Sequence, residues 1–170
     1  MAAINRGDVN IYIVEAGING SALVASDIVS GEITTWGLSG GNKDVESVAA
    51  FGGFIDKEKP REQFELTLDI TPKIDTASSN RWDTYKYGAG LTSATEGTNK
   101  AIFIEASDKT NKKTWAFNNA FAVTWDPSHS ADDNMNGSFT FKFSPTDDSN
   151  NANLQTSNVA ATAIAAWTTA

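Results

Sequence analysis

Phe64, Leu66, Leu68 and Ile70 fall on one side of the run Glu62–Ile70 (EQFELTLDI), and Gln63, Glu65, Thr67 and Asp69 fall on the other. Successive side chains of an extended chain point to opposite sides, so this period of two builds a strand with one apolar and one polar face. A helix would scatter the same residues around its circumference. Thr71-Pro72 then stops the strand, because proline has no N–H to give to a ladder. The chain must therefore supply a sheet with a core on one side of it.

The same period recurs downstream. In Gly137–Ser144, Phe139, Phe141 and Phe143 alternate with Ser138, Thr140, Lys142 and Ser144. Across the polar loop Asp126–Asn136, the run Lys113–Trp125 carries Trp115, Phe117, Phe121, Val123 and Trp125 on one parity. Two alternating strands joined by a polar loop read as an antiparallel hairpin. Asn118-Asn119 inside the first run suits either a tight turn or a bulge in one long bent strand, and the parity kept across it favours the bulge. Val9–Val14, Glu32–Leu38 and Lys100–Ala106 supply further strands. A short helix is expected at about 79–87, with Ser78 or Ser79 as its cap, Trp82 and Tyr85 three apart, and Gly88 closing it. Residues 146–170 are harder to read; with Ile164 and Trp167 three apart, they suit a loose helix or a final strand.

These elements add up to a mainly β protein: an antiparallel β-sandwich or partly open barrel with one short α-helix. With 170 residues, no internal repeat and no linker, residues 1–170 are expected to form one domain. Its expected core includes Phe64, Leu66, Leu68, Ile70, Phe139, Phe141 and Phe143. One stretch resists assignment, a long loop at about 39–61. It opens on glycines, holds Phe51-Gly52-Gly53-Phe54-Ile55 and ends in Asp56-Lys57-Glu58-Lys59. Long segments in compact domains are usually functional or disordered, and the aromatic content here argues against disorder.

Composition removes several kinds of chemistry. The chain has no cysteine and a single histidine, His129, so thiolate metal sites, cysteine nucleophiles and two-histidine mechanisms are excluded. Asp126, Ser128 and His129 share one loop, and a catalytic triad needs partners from separate elements. Asp126, Asp132, Asp133, Asn134, Asp147 and Asp148 are oxygen ligands suited to calcium, but they lack the spacing of a calcium loop. Glu65, Asp69 and Glu105 are the strand acids available for glycoside hydrolysis, and Trp36, Trp82, Trp115 and Trp125 the aromatics available to stack on sugars. No phosphate-cradling glycine motif occurs. The expectation is therefore a protein that is not an enzyme, with no cofactor and no metal.

Thirteen Lys and Arg against 21 Asp and Glu give a net charge of −8, which disfavours tight binding to a phosphate backbone. No apolar run is long enough for a membrane span, and the N-terminus lacks the pattern of a signal peptide. A soluble protein made in the cytoplasm is expected.

The order of elements resembles a known family. A β-domain with a long glycine-flanked loop after its second strand and one central helix closes with the hairpin Ala120–Trp125 and Gly137–Pro145. Over about residues 5–145 this is similar to the major tail tube proteins of long-tailed, siphovirus-like bacteriophages and related viruses. The resemblance implies a virion structural protein of the viral tail. Such subunits self-assemble as hexameric rings stacked into a hollow tube, through which the genome is ejected. It implies assembly in the host cytoplasm, partnership with tape-measure, tail terminator and baseplate or tip proteins, and transient passage of double-stranded DNA. Under it, Gln63, Glu65, Thr67 and Asp69 would face the lumen. Phe51, Phe54, Ile55, Asp56, Lys57, Glu58 and Lys59 would touch the adjacent ring or subunit. Lys142 would add a positive ring if its strand also faces inward, paired with Glu65 or Asp69. A terminator or adaptor, the inner tube of a contractile tail, and a β-sandwich carbohydrate-binding module are the alternatives.

Overall fold

The computed structural model describes residues 8–43, 45–58, 61–73, 81–132 and 134–167. Among them the chain forms β1 (Val9–Glu15), β2 (Ile33–Gly40), β3 (Val45–Ala50), β4 (Gly53–Glu58), β5 (Phe64–Ile70), α1 (Arg81–Tyr87), β6 (Lys100–Ser107), β7 (Lys112–Ser128), β8 (Asn136–Phe143) and β9 (Leu154–Ser157). One curled antiparallel sheet runs β1-β6-β7-β8-β5-β2, with β9 beside the first part of β7, while β3 and β4 pair only with each other. The fold is thus mainly β and antiparallel, a partly open barrel with one helix. The residues proposed for the helix cap, Ser78 and Ser79, lie outside the described residues.

Strand β7 determines how the sheet curls. Its first part pairs with β6 and its last part with β8, and it carries an extra residue at two places. Between Phe117 and Ala120 it advances three residues while β6 advances two, and Asn119 adopts φ 54°. Between Ala122 and Thr124 it advances two while β8 advances one. Each extra residue turns the following side chains to the other face of the sheet. The core side is therefore held by Trp115 and Phe117, then by Ala120 and Ala122, then by Trp125. The bulge at Asn118-Asn119 is present, but the parity argument misplaces Phe121. Two shifts cancel over the whole strand, and between them Phe121 points away from the core and is 38% exposed.

Bending at β7 divides the sheet into a β1 half (β1, β6, β7 up to Ala120, and β9) and a β2 half (β7 from Phe121, β8, β5 and β2). The main core lies between them. Ile11, Ile13, Ile102, Ile104 and Phe117 from one half meet Leu66, Leu68, Ile70, Phe139, Phe141 and Phe143 from the other, with Phe64 partly buried at the margin. Trp82 of α1 enters this core against Trp125 and Phe139. Arg81 at the start of the helix pairs with the buried Glu32, which also accepts the Lys73 N–H at 3.0 Å.

A second cluster covers the outer face of the β1 half, where Tyr12, Ala101, Phe103 and Ala116 pack under Leu23, Ala161 and Ile164, with Trp167 alongside. Every residue from Lys100 to Ala106 is consequently buried. The covering segment is the C-terminal stretch that the sequence left open. It is a strand, β9, followed by a tight turn at Ala161–Ala163. Buried polar groups need partners. Glu105 accepts the Ala161 N–H at 2.8 Å and the Lys112 ammonium at 3.0 Å. Around the first bulge, Asn118 accepts the Gly17 N–H at 2.8 Å, Asn119 donates to Asn153 at 3.0 Å, and Asn153 donates to the Ser144 carbonyl at 3.0 Å.

Candidate assembly surface

The β2 half buries only one of its faces. On the other, strand register lines up three rows: Ser39, Glu65, Lys142 and Phe121; Gly37, Thr67, Thr140 and Thr124; Thr35, Asp69, Ser138 and Asp126. All are exposed or half-buried. Glu65, Thr67 and Asp69 thus share one polar face, whereas Gln63 sits just before β5 in an irregular segment. Lys142 is on this face too, with its ammonium 3.5 Å from the Glu65 carboxylate. The Thr35 hydroxyl donates to Asp69. Charge on this wall is therefore uneven: a compensated pair at one level, threonines in the middle, and Asp69 with Asp126 at the far level.

The two halves also differ at their edges. The outer edge of β1 is covered, since Tyr12 bridges to Ile28 and the Val29 N–H donates to the Ile11 carbonyl at 2.8 Å. Among the described residues, neither β2 on its outer side nor β7 beyond Ala120 on the side away from β8 carries a partner strand. Pro127 lies in that last part of β7, where an edge tolerates the missing donor.

From the end of β2 springs the β3–β4 arm. Gly40 and Gly41 take φ of 82° and 67° at its root. A Cβ on Gly41 would lie 2.2 Å from the Phe64 ring, and one on Gly40 2.2 Å from the Gln63 carbonyl, so only glycine fits this exit from the sheet. The root is closed by the Glu62 N–H donating to the Asn42 carbonyl and by Asn42 Nδ2 donating to the Glu62 carboxylate, both at 3.1 Å. The stretch expected as a long loop is therefore a two-stranded ribbon. Period-two signals were masked there by the glycines and by charges at successive positions. Phe51 is at the turn and fully exposed, with Val45 and Val48 exposed along β3. The backbone of Phe54, Ile55, Asp56, Lys57 and Glu58 runs in β4; their side chains, and Lys59 entirely, lie outside the described residues.

Other candidate chemistry does not converge. Glu105 is sealed beneath the C-terminal segment, while Glu65 is on the bare face of the other half. Trp82 and Trp125 are buried, while Trp36 and Trp115 are half-buried and pack on each other with ring centroids 5.2 Å apart. His129 is exposed at the rim of a cavity of about 610 Å³, with Lys73 and Met135. Asp147 uses its carboxylate on its own turn, accepting from the Asn151 side chain and from the Ser149 and Asn151 N–H groups. Those bonds, the Asn151 side chain first, hold its carboxyl below the usual range. Asp133 lies outside the described residues. Among the described residues no group of three or more His, Asp and Glu is placed to hold a metal ion.

Sequence reasoning missed Phe121 and Gly37 as surface features and missed the open edges. Two signals pointed to them: a glycine in the middle of a β-branched run, and a proline at the end of a strand.

No protein-family model and no curated protein matches the chain. Solved structures share its fold. A chain of the anti-feeding prophage cap (the AFP tube terminating cap) matches with a TM-score of 0.58 at 12% identity, covering 94% of this chain and 93% of that one. A chain of an extracellular contractile injection system, the PVC sheath-tube complex in its extended state, matches with 0.57 at 15% identity, covering 92% and 93%. A chain of the PVC sheath/tube terminator in its extended state matches with 0.56 at 14% identity, covering 92% and 98%. The protein has a tail-tube-like fold, and the likeness runs over nearly the whole length of each chain.

Proposed function

We propose that the chain is a structural subunit of a phage-tail-like tube, joined edge to edge into rings that stack through the β3–β4 arm. One observation carries this reading: among the described residues, the β2 half is a sheet of four alternating strands with both outer edges unpaired and one face bare. An open edge is a liability that monomeric proteins blunt. With an even number of strands, β2 of one copy lies antiparallel to β7 of the next, and all copies keep the same face inward. Such a head-to-tail contact closes into a ring when the rotation between successive copies completes a circle. Six copies per ring follow from the family resemblance.

In this reading Glu65, Thr67, Asp69, Ser138, Thr140 and Lys142 line the bore. Glu65 neutralises Lys142, so the wall offers no row of free cations to hold a phosphate backbone. Double-stranded DNA would pass without sticking. Phe51 at the arm tip anchors in the adjacent ring, the role that otherwise leaves a fully exposed phenylalanine without an explanation. Tape-measure, terminator and baseplate proteins are the expected neighbours along such a tube. The four-strand edges serve a tube subunit and a terminator alike. The solved structures of like fold, drawn from contractile injection systems, favour the contractile branch over the siphovirus-like one.

Negative-stain electron microscopy across protein concentration tests the proposal. Rings and short tubes are expected from the wild type, and rings without tubes from Phe51→Ser. A wild-type protein that stays monomeric at every concentration overturns the reading; tubes formed equally well by Phe51→Ser overturn the role of the arm.

A further inference from the structure

Phe121 is the sole aromatic residue in the three rows of the bare face. It is turned there by one extra residue in β7 and the core side is recovered by a second. A single bulge would bend the strand; the pair displaces one phenylalanine outward on an open edge. At the other open edge, Gly37 sits in the middle of β2 on the same face. Nothing among the described residues explains that glycine. It does not need a positive φ, and a Cβ built on it would meet nothing within 4 Å. Glycine inside a strand weakens it and commonly marks a place where something approaches the bare backbone.

We infer that Phe121 of one subunit lies across Gly37 of the next, fixing the register in which the rings close. The inference rests on the ring reading above and adds the contact that sets it. A second copy is the occupant because the two features lie on opposite edges, on one face, and on strands whose directions alternate across the sheet. An aromatic ring covering an edge glycine is a cross-strand pair that restores the burial glycine lacks. The stagger is also defined. Phe121 shares a row with Ser39, and Gly37 lies two residues earlier in β2, so each join shifts the row by two. An even step keeps every side chain on its own face, and a non-zero step is what a closed barrel of tilted strands requires.

The chain contains no cysteine, so an engineered disulfide has no competitor. Within one subunit, Gly37 and Phe121 are separated by three strand spacings, roughly 14 Å, too far for a disulfide. The double variant Gly37→Cys/Phe121→Cys is oxidised after assembly and run on a non-reducing gel. A ladder of covalent multimers ending at the ring size is expected. Rings visible by microscopy with no ladder overturn the Phe121–Gly37 contact and leave the ring reading standing. A wild type that forms no rings removes both.

Two single variants give a readout that a merely structural role would not move. Phe121→Ala should raise the concentration for half-assembly about tenfold, while the monomer melts at an unchanged temperature. Gly37→Val should stabilise the isolated monomer by improving β2, yet weaken assembly by filling the seat. Wild-type assembly by Gly37→Val overturns the inference.

Discussion

The β1 half and the β2 half are built from strands of similar length and share one core, yet only the first is finished by its own chain. In the β1 half, both faces of β6 are buried, and the outer edge of β1 is capped by Ile28 and Val29. In the β2 half, among the described residues, one face is bare, two edges are open, and a ribbon with an exposed phenylalanine projects from the end of β2. The border runs through β7. Before the first bulge Ala116 belongs to the outer cluster and Phe117 to the main core; beyond the second, Trp125 alone reaches inward between exposed Thr124 and Asp126. The proposed ring contact would therefore be made by the half that its own chain leaves unfinished.

The strongest way to break this comparison is through what the halves share. Phe141→Ala removes a fully buried ring of the main core and should cost about 4 kcal/mol, read as a lower urea midpoint. Both halves should unfold in one transition, since neither has a separate core of comparable size. Glu105→Ala acts on one half. It strips the Ala161 N–H and Lys112 of their acceptor and should cost about 2 kcal/mol. Hydrogen exchange should show the largest loss at Ala161 and along β1 and β6, where local opening adds to the global loss that β5 and β8 share. Equal loss in β5 would mean that the two halves do not respond separately.

A pH experiment sharpens the same contrast at the seam. Burial pushes the Tyr85 phenol up to about 12, with Arg81 opposing and Glu32, Asp27 and Glu15 adding to the rise. The folded state therefore holds this proton where the unfolded chain, at its ordinary value near 10, has lost it. The resulting stability is present below pH 10 and disappears as pH climbs toward about 12, a change of about 3 kcal/mol. Tyr85→Phe keeps the ring packed on Trp82 and Phe139 and should flatten that alkaline fall. Glu15 has the opposite sign. Partial burial works against its ionisation, but hydrogen bonds from Lys100 and Thr98 win and hold its carboxyl low. Its contribution is present above the ordinary carboxylate range and fades on acidification through the folded value.

Strands β5 and β8 were legible in the sequence because one face of each meets the core and the other meets water, so the alternation survives intact from Phe64 to Ile70 and from Phe139 to Phe143. Phe121 was misread because parity can be counted along a strand, but two bulges restore the same parity and conceal the displaced residue between them. The cover of the β1 half was opaque for another reason. Ala161 and Ile164 are buried by where the chain end returns, against Tyr12 and Phe103, and that long-range contact has no local period. The arm lacked signal because a ribbon whose faces are not completed by its own subunit need not segregate apolar from polar residues.

The smallest expected effect on the monomer belongs to the Glu65–Lys142 pair on the bare face. Both side chains are near 40% exposed, at 41% and 38%, so a double-mutant cycle with Glu65→Gln and Lys142→Gln should give a coupling below about 0.5 kcal/mol. The consequence for an assembled tube is larger than for its subunit. Glu65→Gln leaves Lys142 uncompensated in every copy, which places a ring of positive charge around the proposed bore. Assembled Glu65→Gln tubes should then retain short double-stranded DNA at low salt and release it as salt rises, whereas Lys142→Gln tubes should not retain it. Identical DNA passage through both variants would place this face away from the bore, leaving the open edges and the arm to be explained by a different inward surface.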